Sequence, residues 1–430
     1  MSSVIPQPDL HDPTSPAYKK ARKLFLKSTK NRNNDTDHDW TPFRAAEKRY
    51  KARFPPPDLA NVLDLALLDE GRADEIDAGV WRGRSDAQGF IEIPLRGGGK
   101  GYILPRIPGL VLLPSFLSHE KQRELVRWSL SEHSRPPNET NLDTHYVLPP
   151  EGIWNVAVEA RKDPSREVEI PPCHVLLPSD QKPEVKHGPR VLINNTPANT
   201  ENFDSLSHVS KPPAPPSQTA ASSTSVDLLP KLRWANIGWF YHWGSKQYDF
   251  TKGKVEVHPK IRDVCQNAVH SVNWGDVFSA DSSDWGKEDD WRTWGESYEP
   301  DAGIVNFYQT KDTLMAHVDR SEVCATSPLV SISLGNAAVF LIGGPTRDTE
   351  PIPILLRSGD IVIMSGPGCR RAYHGVPRIL EGTLPRHMFG PDESGEYYDW
   401  KPYEDYMRTT RINVNVRQVF PKGFDPGIPV

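Results

Sequence analysis

Two histidines and an aspartate carry the most specific chemical signal in this 430-residue sequence. His317 and Asp319 flank Val318, and His374 follows 55 positions after Asp319. A histidine and a carboxylate two residues apart at the end of a strand can chelate one metal, and a third donor from a distant strand closes a triangular face. That arrangement leaves the opposite face open and suits non-haem Fe(II) acting with dioxygen. The open positions need an oxidisable co-substrate. 2-Oxoglutarate fills two of them with its keto oxygen and one carboxylate, so its other carboxylate requires a buried cation. Arginine serves best, because its planar fork binds a carboxylate bidentately and stays charged.

The run Arg411-Ile412-Asn413-Val414-Asn415-Val416-Arg417 supplies that cation. Its strict alternation predicts a strand with Arg411, Asn413, Asn415 and Arg417 on one face and the three apolar residues on the other. Six residues at roughly 3.3 Å each span about 20 Å, so the two arginines start too far apart to act as one pair but can approach opposite ends of one diacid. Ile304 to Gln309 alternates likewise and presents Asn306 and Tyr308 together as further donors. Taken singly, these pieces are unspecific. An H-x-D triplet recurs by chance, and a lone histidine is more often a satisfied core or surface residue. Their order is what carries information.

Read in that order, N-x-Y, H-x-D, a β-rich stretch, a second histidine and R-x-N-x-x-x-R, the chain resembles the AlkB family of Fe(II)/2-oxoglutarate dioxygenases. The resemblance extends to Asn306-Phe307-Tyr308, to the stretches 317–322, 328–335 and 340–344, and to Ser358-Gly359-Asp360. The wording at 317–322, at Met364-Ser365-Gly366 and at His374-Gly375-Val376-Pro377-Arg378 is most similar to the eukaryotic AlkB homologue-one subgroup. It implies Fe(II) on His317, Asp319 and His374 as the catalytic metal ligands, with 2-oxoglutarate and O2 as co-substrates. It implies Arg411 on the distal carboxylate of 2-oxoglutarate, and Asn306, Tyr308, Asn413 and Arg417 completing that pocket. The activity implied is oxidative demethylation of N-methylated nucleobases in DNA or tRNA, with release of formaldehyde, succinate and CO2.

For the substrate, the resemblance implies a nucleotide-recognition lid over the metal at residues 232–243. Trp239, Tyr241 and Trp243 alternate there as if on one face of a strand, and an aromatic face can hold an extruded base. Trp239 and Tyr241 are the substrate candidates, with Arg347 matching a family position in the substrate pocket. Ser321 stands where bacterial relatives carry an acidic substrate contact, so bacterial substrate preference does not carry over. Rival readings are a protein substrate such as a histone tail at the same site, an inactive binding module on chromatin or RNA, and a zinc hydrolase, which gives no reason for the Arg411 and Asn306 pocket.

Those residues need a frame. Short strands with tight turns predict an α+β fold, mainly β, whose core is a double-stranded β-helix, or jelly roll, holding the site between two sheets. An N-terminal helical extension precedes it. The expected divisions are a basic disordered tail (1–40), the helical extension (41–105), the N-terminal part of the catalytic domain (106–195), a disordered Pro/Ser/Thr-rich insertion (196–227), the catalytic core (228–420) and a C-terminal tail (421–430). The 42 prolines and the 37% hydrophobic content fit one catalytic domain with appendages.

The net charge of −5 argues against a uniformly basic coat, so nucleic acid must be met by local patches. One such run, Lys19 to Arg32, holds seven basic residues and no acid; it reads as an import or nucleic-acid patch, or as a solvated helix face. Four cysteines without C-x-x-C spacing fit a reducing interior rather than a zinc ribbon or disulfide frame. Without a membrane-spanning run or signal-peptide core, the expected location is the nucleus or cytoplasm, the mitochondrion remaining open. His145 lacks a partner at metal spacing and is expected to be structural; His387 is within reach by sequence, but the family pattern the chain resembles lies at Tyr373-His374-Gly375 and not there. The acidic, tryptophan-bearing stretch 276–301 is expected to be a surface helix anchored by its tryptophans.

Overall fold

The computed structural model describes residues 10–30, 40–77, 81–176, 196–209, 211–278, 291–391 and 397–427. β1 (Leu63–Asp64) is a short edge piece, whereas β2 (Ile91–Pro94), β3 (Lys100–Ile103) and β4 (Leu110–Leu113) form a meander. β5 (Glu169–Ile170) pairs with the later β6 (Ser223–Thr224). After them come β7 (Trp234–Gly238) and a small hairpin of β8 (Tyr241–His242) and β9 (Gln247–Tyr248). The remaining strands are β10 (Ala302–Gln309), β11 (Leu314–His317), β12 (Leu329–Gly335), β13 (Ala338–Ile342), β14 (Ile352–Leu356), β15 (Ile361–Met364), β16 (His374–Ile379) and β17 (Thr410–Arg417). They build an eight-stranded sheet in the order β2-β3-β4-β15-β12-β17-β10-β7 and a five-stranded sheet in the order β1-β14-β13-β16-β11.

This is the jelly-roll core that the strand pattern predicts, and the alternation along β17 explains how it is filled. Ile412, Val414 and Val416 are buried in the main core with Val305 and Phe307 of β10 and Val330, Ile332 and Leu334 of β12, beneath helices that contribute Trp128, Trp400 and Met407. The opposite, polar face of the same strand turns toward the space between the sheets. A second apolar cluster, including Leu110, Leu112, Phe340, Ile342 and Val362, joins the two sheets beside that space.

Two N-terminal helices are described. α1 (Pro16–Thr29) is capped by Ser15, none of its residues is buried, and the rings of Tyr18 and Phe25 meet Phe54. The expected disordered tail is therefore a basic, solvated helix over residues 16–29, while 1–9 and 31–39 lie outside the described residues. α2 (Pro42–Lys51) has Thr41 as its N-cap and proline in its first turn, both favourable helix starts. It buries Phe43, Ala46 and Tyr50 against Ala316, Val339 and Leu341 of the smaller sheet. In doing so it covers the edge strand β11, whose free backbone groups would otherwise invite pairing with another chain.

Two expected boundaries need correction. The extension 41–105 is helical only in its first half, since β2 and β3 belong to the larger sheet; Gly97, Gly98 and Gly99, all at positive φ, make the reversal between them. The Pro/Ser/Thr-rich stretch 196–227 is not loose where it is described. Phe203 is buried with Phe250, Phe420 and Phe424, the Ala198 N–H donates to the Arg320 carbonyl, and β6 pairs with β5. Polar composition concealed one aromatic anchor and a set of backbone bonds.

The acidic stretch is held as expected where it is described: Trp291 and Trp294 pack with Trp274 and Phe278, and Trp285 lies outside the described residues. Among the described residues no helix is long and apolar enough to cross a membrane.

Candidate metal centre and co-substrate cavity

His317 closes β11 and His374 opens β16, and the two are cross-strand neighbours whose ring centroids lie 4.4 Å apart. Each Nδ1 sits against a backbone carbonyl, Met315 O at 3.0 Å for His317 and Ala372 O at 3.1 Å for His374. A carbonyl can only accept, so Nδ1 carries the proton and Nε2 keeps the lone pair that a metal needs. Asp319 lies just past the strand end, with Oδ1 3.8 Å from His317 Nε2. One donor atom from each of the three residues lies within 4.8 Å of the others, the only such His/Cys/Asp/Glu group among the described residues.

The charges around the group suit a cation. Burial alone would raise the Asp319 carboxyl, but Arg417, His374 and His317 outweigh it and hold it well below the usual carboxylate range. Burial, then the neighbouring His317, brings His374 down to about 4. At pH 7 neither ligand has to lose a proton before taking a metal. Arg417 is itself tied down: its Nη1 lies 3.4 Å from Asp319 Oδ2, and its Nε lies 3.0 Å from both Glu322 Oε1 and the Tyr248 hydroxyl. Arg370 stands 3.6 Å from the other Glu322 oxygen, and Arg371 donates to the Asp319 carbonyl at 2.6 Å.

These residues open into a cavity of about 580 Å³ between the sheets. Its walls include Asn306, Asn413, Asn415 and Arg411 as well as the three candidate ligands. Register explains the grouping, since Asn306 pairs with Asn413, Tyr308 with Arg411, and Ile304 with Asn415 across β10 and β17. Asn413 is fixed by donating 3.0 Å bonds to Ser331 Oγ and the Ile332 carbonyl. Tyr308, expected as a further donor, packs with Ala338 and Ile379 and does not line the cavity.

Arg411 is 1% exposed. Its guanidinium donates to Ser333 Oγ at 2.7 Å and to the carbonyls of Asn336 and Leu356, Nε has no partner, and among the described residues no carboxylate pairs with it. Burial brings its pKa down to about 10. A desolvated cation with no carboxylate in contact is costly, Asp360 acting on it only at a distance, and here it faces a cavity that contains a metal-type donor set. A dianionic ligand spanning the two would relieve it. The donor set and this unanswered cation together fit an iron ion with a chelating diacid.

Several expected site residues stand differently. Arg417, expected as a co-substrate contact, lines the cavity and commits its Nε to Glu322 and Tyr248 and its Nη1 to Asp319. Trp239, expected to hold substrate, is 2% exposed in a cluster with Phe250 and Phe420 and does not line the cavity. The even alternation that linked it to Tyr241 and Trp243 breaks between them: Trp239 bridges to Lys254, whereas Tyr241 opens the separate β8–β9 hairpin and Trp243 lies in its turn. Tyr241 and Trp243 do reach the cavity, Trp243 half exposed and stacked on Trp234 with ring centroids 5.1 Å apart. Arg347 also lines it, its guanidinium over the Tyr373 ring and its Nη2 2.9 Å from the Ala316 carbonyl.

Ser321 donates to the carbonyl of Lys246, in the turn between β8 and β9, at 2.9 Å. His145 accepts from the Ser217 N–H, and His387 bonds Gln122 while stacking on His119; neither belongs to the centre. Glu322 and Tyr248 were not singled out from sequence, and Trp243 was named with the aromatic alternation but not as a substrate candidate. Glu322 lies within the 317–322 wording, but its tie to Arg417 spans the molecule and leaves no local signal.

Residues 197–417 match the family model described as the 2OG-Fe(II) oxygenase superfamily. The DNA N(6)-methyladenine demethylase ALKBH1A of Arabidopsis thaliana is 30% identical over 405 residues, 90% of this chain and 99% of that protein. The tRNA demethylase abh1 of Schizosaccharomyces pombe is 27% identical, over 88% of this chain and 96% of its own length. The nucleic acid dioxygenase ALKBH1 of Mus musculus is 28% identical, over 76% and 68% respectively.

Proposed function

This chain belongs to the 2OG-Fe(II) oxygenase superfamily, within its AlkB homologue-one group, and on that premise we propose that it is an Fe(II)- and 2-oxoglutarate-dependent demethylase of N-methylated nucleobases in DNA or tRNA. Relatives that align along most of the chain are named for those two substrates. The observation that carries the reading is Arg411, a buried cation without a carboxylate partner, in the wall of the cavity that holds His317, Asp319 and His374. A methyl group on a base nitrogen has no readily hydrolysed bond, so its removal calls for oxidation.

In this reading His317, Asp319 and His374 hold the metal. Loaded with Fe(II) and 2-oxoglutarate, the centre supplies oxidation of the methyl C–H bond by O2, giving succinate, CO2 and an N-hydroxymethyl group that leaves as formaldehyde. Arg411 binds the distal carboxylate of 2-oxoglutarate through a guanidinium pre-set by Ser333 and two carbonyls, while Asn306 and Asn413 shape the pocket and Tyr308 stands opposite Arg411 in register. Arg417, braced by Glu322, keeps Asp319 ionised and aimed. Tyr241 and Trp243 offer ring faces at the mouth, and Arg347 stands at the rim.

Stacking of an unpaired base on an aromatic side chain is worth about 1–3 kcal/mol. Trp243→Ala is expected to raise KM for methylated oligonucleotide about tenfold while leaving KM for 2-oxoglutarate unchanged. Trp239→Ala should instead lower stability by about 3–5 kcal/mol, as for a core tryptophan. Steady-state kinetics and thermal unfolding of the two variants separate these roles.

The test of the function is formaldehyde and succinate release from single-stranded DNA, tRNA and histone-tail peptide, each carrying N-methyl groups. Stoichiometric release from a methylated nucleic acid is the expected result. Release from the peptide alone would transfer the activity to a chromatin protein, and no succinate with any of them would leave a binding module.

A further inference from the structure

The search for chemistry outside the ligand set leads to the edge of β11. One extra residue bulges between Leu314 and His317 relative to β16, and β11 has no strand on its other side. Ala316 finds both of its backbone partners outside the sheet. Its N–H donates to Glu47 Oε1 of α2 at 2.6 Å, and its carbonyl accepts from Arg347 Nη2 at 2.9 Å. The peptide that joins Met315 to Ala316 therefore bonds at both ends: its N–H points to Glu47, and its C=O receives the Nδ1–H of His317.

We propose that Glu47 is a positioning residue for the metal centre, acting on His317 through the Met315–Ala316 peptide as a carboxylate would act on a metal-bound histidine directly. The inference rests on reading His317 as a metal ligand. A carboxylate accepting an N–H polarises the peptide, and the more negative carbonyl becomes a stronger acceptor for Nδ1–H. That bond fixes the ring plane and makes Nε2 a better donor, which is how outer partners tune a metal site. Glu47 is 4% exposed and Ala316 is buried, so water does not replace the contact when it is lost. Arg44 holds the other Glu47 oxygen at 3.1 Å and orients the carboxylate. Helix α2 thus becomes part of the centre although none of its residues reaches the cavity wall.

The test is Mn(II) affinity of the full chain, read from the EPR signal of the free ion, beside thermal unfolding. E47A is expected to weaken Mn(II) binding about 10- to 100-fold. E47Q still accepts the N–H but without charge, and should lose about half as much on a logarithmic scale. K48G, which loosens the same helix at an exposed position away from the peptide, should bind as the wild type does. Unchanged affinity in E47A, or an equal loss in K48G, overturns the proposal. Should E47A fail to fold, E47Q decides, and wild-type affinity there overturns it equally. A wild-type chain that takes up no more Mn(II) than Asp319→Ala would sink the ligand reading itself, and this inference with it.

Discussion

Replacement of Asp319 by alanine is expected to reduce formaldehyde release more than about 100-fold, beyond the 10- to 100-fold that follows loss of an outer partner of a metal site, while the chain stays folded. Two neutral imidazoles remain, and they lack the charge that draws a divalent ion into a partly desolvated cavity. The fold should survive because Arg417 keeps its 3.0 Å pair with Glu322 and its bond to Tyr248, so no cation is left without a partner. Asp319→Asn keeps the shape and removes the charge; it should bind Mn(II) more weakly than wild type and more tightly than alanine. Turnover retained in Asp319→Ala, with unfolding and metal content measured on the same preparation, would show that the three residues do not hold the catalytic ion.

The second large effect belongs to Arg411. Removing one partner of a buried, hydrogen-bonded charge pair costs about 2–5 kcal/mol, so Arg411→Met should raise KM for 2-oxoglutarate about 100-fold. Mn(II) affinity in its absence should hold steady. Lysine should rescue only in part, since an ammonium cannot form the two parallel bonds of the guanidinium fork. A less usual expectation concerns stability. Without a diacid bound, the wild type holds a desolvated cation with no carboxylate in contact, and a well-packed apolar residue in its place is often neutral or stabilising. Arg411→Met should therefore melt no lower than the wild type when both are free of 2-oxoglutarate. Adding Mn(II) with saturating 2-oxoglutarate under anaerobic conditions should raise the melting temperature of the wild type alone. A variant that melts far below wild type, or one that is equally stabilised by the diacid, would place the distal carboxylate elsewhere.

Both predictions start from patterns visible in one dimension. The alternation of 411–417 foretold which face of β17 is apolar and which is polar, because side chains on a strand alternate whatever lies beside it. The H-x-D pair foretold in the same way that His317 and Asp319 stand side by side at the end of β11. Composition was a poorer guide: a Ser/Pro-rich stretch looked loose, yet Phe203 and a few backbone bonds pin it to the body of the protein.

What the order of residues determined by itself was the donor set, the buried cation and the jelly-roll frame, since each depends on residue type and short-range periodicity. Only the tertiary structure decided which aromatic reaches the cavity, because the strand pattern breaks between Trp239, which bridges to Lys254 and is buried, and the β8–β9 hairpin, whose turn carries Trp243 to the cavity. It alone assigned Arg417 to the aspartate, through Glu322 and Tyr248 from two other segments. It also brought Glu47 to the Ala316 amide, 269 positions away. Contacts of that kind are set by how strands and helices dock in three dimensions, and no local pattern along the chain encodes the docking.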